Sequence, residues 1–136
     1  MNQELKRNID AHWSWHLKES PEAATRLGHR ENDHRWTDLS PDAVLRRKQA
    51  ASDQLTSLDS VDPSGLGPDD EINYKLFRQL LEHAVEGASY HGEFLRIGPM
   101  GGPQSWVAQT VELMPATTAS EIDNILARLK AIPQFI

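Results

Sequence analysis

Apolar residues recur along this chain at intervals of three and four, a pattern that predicts helices over most of its length. Leu5, Ile9, Trp13 and Leu17 follow at steps of four from about Glu4 to Glu19, and Ser20-Pro21 stops that helix because a residue before proline avoids the α region. A short helical turn over Pro21 to Leu27 is expected to end at Gly28. His29 to Leu39 is polar except for Trp36, which predicts a solvated loop pinned by one aromatic.

Ser40-Pro41 is a start signal, a hydroxyl N-cap before a proline at the first helical position. The helix it opens carries Val44, Ala51, Leu55 and Leu58 on one stripe, with Arg46, Arg47 and Gln54 pointing elsewhere. After the Pro63, Gly65 and Gly67 break comes the strongest helix, to about Ser89, with Asp69, Asp70 and Glu71 in its first turn. Leu76, Phe77, Leu80, Leu81, Ala84, Val85 and Ala88 predict a wide apolar face for it. Gly98 to Pro103 cannot be regular, Ser105 to Met114 reads as a short helix, and Thr118-Ala-Ser-Glu121 forms a capping box. Ile122, Ile125, Leu126 and Leu129 follow that box at helical spacing. No run alternates with period two. The expected fold is all-α, a bundle-like array of about four to five helices with long Pro/Gly loops, in a single helical domain over residues 1–136.

Charge narrows the partners. The net charge is −6, and residues 1–50 hold nine basic against eight acidic side chains while 51–136 hold five against twelve. Neither half offers the basic face that nucleic acid or an anionic membrane needs. With no Cys there is no disulfide framework, thiolate metal site or thiol nucleophile. The start lacks the apolar core of a signal peptide, so a cytoplasmic location is expected.

His12 and His16, four apart on the first helix, could project together as zinc ligands do. At roughly 100° per residue both fall within the arc of Leu5, Ile9 and Trp13, where hydrogen-bonded core histidines are the commoner outcome. Trp13 stands where a His-Glu-x-x-His helix has its glutamate, so no general base is supplied. Glu82, His83 and Glu86 lack the paired Glu-x-x-His motifs of carboxylate-bridged bundles. The arginines 26, 30 and 35 with His29 and His34 could hold an anion, but Glu31, Asp33 and Asp38 neutralise them locally. No P-loop or Gly-x-Ser-x-Gly elbow is present. No catalytic residue and no metal ligand is assigned; His12 and His16 stand only as metal candidates. Gly101, Gly102 and Gln104 stand as candidates for the wall of a substrate channel, because glycines let an extended chain approach the backbone.

One set of segments resembles a known family. Trp15, then Glu19-Ser-Pro-Glu-Ala-Ala-Thr-Arg-Leu-Gly28, Asp33-His-Arg-Trp36, Asp38-Leu-Ser-Pro41, Gly101-Gly-Pro103, Pro115-Ala-Thr-Thr118 and Ala127-Arg-Leu-Lys-Ala-Ile-Pro133 occur in the order found in the bacterial domain-of-unknown-function family 885. Its full-length members look like helical zinc metallopeptidases. The resemblance implies that this chain is the N-terminal portion of such a fold, with zinc and the His-Glu-x-x-His motif belonging to full-length relatives and no cofactor here. The ending Ile132-Pro-Gln-Phe-Ile136 and a hydrophobic content of only 38% point the same way. The expectation is a non-catalytic helical scaffold that self-associates or meets a complementing C-terminal chain, and that could border a peptide. The alternatives are a stand-alone helical interaction module, or a small metal-dependent bundle enzyme joining His12 and His16 to His83 or His91.

Overall fold

A computed structural model of the chain describes residues 1–95 and 97–135. Among the described residues seven helices follow in order: α1 (Gln3–Glu19), α2 (Pro21–Arg26), α3 (Pro41–Leu58), α4 (Pro68–Gly87), α5 (Pro103–Glu112), α6 (Ala119–Lys130) and α7 (Ile132–Phe135). Single 3-10 turns occur at Pro63–Gly65, Ala88–Tyr90 and Gly92–Phe94. No strand forms among the described residues, and the one β-bridge pairs Gly98 with Gly101. The class is all-α, with five long helices and two short ones. The residues cluster into two compact units, Met1–Ser14 with Ser40–Phe94, and Trp15–Leu39 with Leu95–Ile136.

The first unit is built on the pairing of α3 with α4. A connection of nine residues makes them antiparallel neighbours, and two ion pairs brace them: Asp59, just past α3, to Arg78 in mid-α4 at 2.6 Å, and Lys48 in mid-α3 to Glu93, just past α4, at 2.7 Å. Ser40 caps α3 by accepting from the Ala43 N–H, and Asn2 caps α1 by accepting from the Glu4 and Leu5 N–H groups. Leu5, Leu58, Val61, Tyr74, Phe77 and Leu81 form the core, with Ile9, Leu55 and Leu66 packed against it.

This core is narrower than the periodicity predicts. Leu76, Leu80 and Ala84 are exposed while Tyr74 is buried, because α1, α3 and the connection carrying Val61 and Leu66 cover the other side of α4. Gln54, expected to point away, is half-buried and meets His12. Trp13, expected on the apolar stripe of α1, is exposed.

The second unit is organised around a buried cation rather than an apolar stripe. Gly28 closes α2 at φ +88°, a conformation that disfavours any side chain. The loop that follows is not simply solvated: Asp33 is buried along with Trp36. In α6 the buried residue is Arg128, and Ile122, Leu126 and Leu129, roughly 100–160° around the helix from it, are 46%, 47% and 40% exposed.

The predicted capping box is in place at the start of α6. The Thr117 hydroxyl, the Thr118 N–H and the Thr117 N–H all donate to Glu121, holding its pKa at about 2 rather than the ordinary 4.5. A carboxylate whose folded pKa is depressed stabilises fully above its unfolded value and loses that contribution as pH falls through the folded one. The Glu121 contribution to α6 is therefore expected to be complete above about pH 4.5 and to disappear as pH falls toward about 2. An NMR titration of the Glu121 side-chain carbon checks this, and a midpoint at the ordinary value would refute it.

Candidate functional site

Most of the segments that carry the sequence resemblance fall in the second unit, while Ser40-Pro41 opens α3 in the first. Arg128 of α6 is fully buried and places its guanidinium against two of the other segments, Glu19–Gly28 and Asp33–Trp36. Nε donates to the Arg35 carbonyl at 3.0 Å, Nη2 to the Asn32 carbonyl at 3.3 Å, and Nη1 to the Thr25 hydroxyl at 2.9 Å. Thr25 relays the contact by donating to Asp33 at 2.5 Å, and Asp33 lies 3.9 Å from Nη1. The guanidinium also sits 5.0 Å over the Trp36 ring, whose Nε1 donates to the Arg128 carbonyl at 2.7 Å. Trp36 stacks in turn on Phe135 at 4.7 Å. Burial lowers the Arg128 pKa and Asp33 opposes that shift. An arginine starts so far above neutrality that it remains a cation there. The network is a structural anchor, since its donors and acceptors already serve one another.

Beside it lies a cavity of about 380 Å³. Its floor and walls combine α2 residues Glu22 and Arg26 with α5 residues Trp106 and Thr110 and with Phe135 of α7. Glu22 is held in place from the loop: its carboxylate accepts the Thr37 N–H at 2.9 Å and the Thr37 hydroxyl at 2.5 Å. Periodicity did not reveal these residues, because they come from three separate helices and the Thr37–Leu39 stretch, which only the tertiary fold brings together. The signal available in sequence was the clustering of Ser20, Glu22, Thr25, Arg26, Asp33, Trp36 and Arg128 inside the resemblance segments.

The glycine segment stands next to this cavity without lining it. Gly98 and Gly101 pair across a tight turn, and Gln104 Nε2 donates back to the Gly98 and Gly101 carbonyls at 3.1 and 3.4 Å. Gly102 is buried at φ +148°, which only glycine adopts without strain, and its carbonyl accepts the Trp106 N–H at 3.0 Å. Gly101, Gly102 and Gln104 thus set the start of α5, and α5 presents Trp106 and Thr110 to the cavity.

The metal candidates fare differently. His12 belongs to the first unit, where Nδ1 lies 2.7 Å from Gln54 Oε1 and the ring packs edge-on to Phe77 at 5.2 Å. His16 belongs to the second unit and is half-buried. His83 is exposed, and His91 Nδ1 lies 3.0 Å from Glu93. Among the described residues no three His, Asp or Glu are grouped to hold a metal ion. The donors present do not fit a zinc site.

Among the described residues no helix is long and apolar enough to cross a membrane. No curated protein and no solved structure matches the chain significantly. A family described as bacterial protein of unknown function (DUF885) matches residues 21–136. The matched span contains the Arg128 network and the cavity except Ser20, and begins after His12 and His16. Because the match takes in most of the chain, this protein belongs to that bacterial family of unknown function.

Proposed function

We propose that this chain is a non-catalytic helical scaffold region of a metallopeptidase-like fold, presenting an apolar face on which further helical polypeptide docks. The observation that carries the reading is the orientation of α6. Its charged Arg128 is turned inward and satisfied, while Ile122, Leu126 and Leu129 lie open on the outside. A contiguous apolar stripe of that kind on a soluble chain is a surface awaiting cover. The cover is a second copy or a complementing C-terminal chain of the same fold. Zinc and hydrolysis belong, on this reading, to residues of full-length relatives, and Gly101, Gly102 and Gln104 act by holding α5 at the edge of a substrate path. The metallopeptidase-like character rests on the resemblance of the ordered segments, and the family match is compatible with it.

Sedimentation over a wide concentration range tests the docking face. The chain is expected to associate as concentration rises, and Leu126→Glu, at the centre of the stripe, is expected to leave a monomer. A monomer throughout, or association untouched by Leu126→Glu, would remove the support from α6. In the same preparation, added zinc should produce no cleavage of a peptide substrate. Zinc-dependent turnover that survives repurification and vanishes on His12→Ala would replace the scaffold reading with an enzyme.

A further inference from the structure

The polar groups around the 380 Å³ cavity of the second unit are unequally committed. The Glu22 carboxylate is occupied by two donors from Thr37. The Arg26 guanidinium makes no hydrogen bond or ion pair with the described residues. Ser20 stands at the N-cap position of α2, yet its hydroxyl caps nothing.

Thr110 is the most informative of these groups. It is 2% exposed, and its hydroxyl has no partner among the described residues. Every fully enclosed side-chain polar atom among those residues does have one. The Thr110 hydroxyl therefore keeps access to the cavity that the residue lines. A hydroxyl held at a cavity wall without a protein partner takes its partner from whatever fills the cavity.

The cavity thus offers three donors without acceptors among the described residues, and it sets them against aromatic walls from Trp106 and Phe135. A guanidinium fork with hydroxyls matches the planar geometry of a carboxylate. Arg26 is the cation that lines the cavity and Glu22 lines it too, so a ligand with one negative charge is matched better than a phosphate dianion. The partly exposed indole of Trp106 provides a face for a flat apolar group. The volume fits one such group and little more.

We propose that this cavity binds a flat apolar molecule carrying a single carboxylate. Arg26 holds the carboxylate, Thr110 and Ser20 complete its hydrogen bonds, and Trp106 and Phe135 take the apolar body. Two sources supply this chemistry, a free aromatic acid and the C-terminal aromatic residue of a peptide. The site stands whether or not α6 docks another chain.

The test uses the full chain, calorimetry and the NMR signal of the Trp106 indole N–H. The probes are 3-phenylpropionate, its neutral amide, and the tripeptide Ala-Ala-Phe as free acid and as C-terminal amide. Each acid that enters should shift the Trp106 signal and bind at least tenfold more tightly than its amide. Arg26→Gln, at an exposed position, should remove that tenfold preference while leaving the weak binding of the amides in place. Tighter binding of the tripeptide acid than of 3-phenylpropionate assigns the site to peptide C-termini, and the reverse assigns it to free acids. Equal binding of acid and amide, no binding by either acid, or an acid preference that survives Arg26→Gln would overturn the proposal.

Discussion

Replacing Arg128 by methionine is expected to cost about 3–5 kcal/mol of stability, the largest effect of any single change in the second unit. The side chain is fully buried, and its removal would leave the buried Asp33 facing the exposed Arg30 at 3.5 Å as its remaining cation. It would also strip donors from the Arg35 and Asn32 carbonyls and from the Thr25 hydroxyl. Arg128→Lys should recover little, because one ammonium cannot reach three acceptors that lie around a planar fork. Adding Asp33→Asn to Arg128→Met should recover a good part of the loss, since the buried charge left to the exposed Arg30 alone goes with it. Chemical denaturation of the wild type, Arg128→Met, Asp33→Asn and the double variant measures this cycle, with Arg128→Lys beside it. A cost below about 1 kcal/mol for Arg128→Met would mean that the guanidinium is a bystander.

The second large effect separates two neighbouring leucines. Leu81 is 1% exposed in the core of the first unit, whereas Leu80 is 50% exposed. Leu81→Ala is expected to cost about 2–5 kcal/mol and Phe77→Ala about 3–5 kcal/mol, through lost apolar contact and the space left behind. Leu80→Ala should stay below about 1 kcal/mol, as it deletes atoms that are already half in water. Equal losses from Leu80→Ala and Leu81→Ala in one denaturation series would place the buried face of α4 elsewhere.

These two contrasts show what a sequence reveals and what it hides. Helices were legible wherever a start signal stood beside a periodic run, as at Ser40-Pro41 and Thr118 with Glu121, because caps and dipoles act within a single turn. Which part of an apolar face ends up covered was not legible. Leu80 and Leu81 are chemically identical, and only the positions of α1 and α3 decide between them. Arg128 was hidden for a related reason: an arginine within an apolar stretch predicts a wet face until Arg35, Asn32 and Thr25 are known to converge on it. The candidate cavity draws on α2, α5 and α7, so no local pattern could announce it. His12 was legible as a core histidine, since its place on the stripe of Leu5 and Ile9 fixed its surroundings.

The order in which the two units use the chain carries a consequence for how the protein is made. The first unit is complete once Phe94 has been synthesised, but the second draws on Trp15–Leu39 and on residues from Leu95 onward. The bond from Trp36 to Arg128 spans 92 residues. At ordinary translation speeds the indole of Trp36 and the carboxylate of Asp33 therefore wait on the order of 5–20 seconds for α6 to emerge. Throughout that interval the nascent chain carries an uncovered tryptophan, a surface suited to chaperone capture. Completion of the second unit is then a late, long-range closure, slower than any step within the α3–α4 pair.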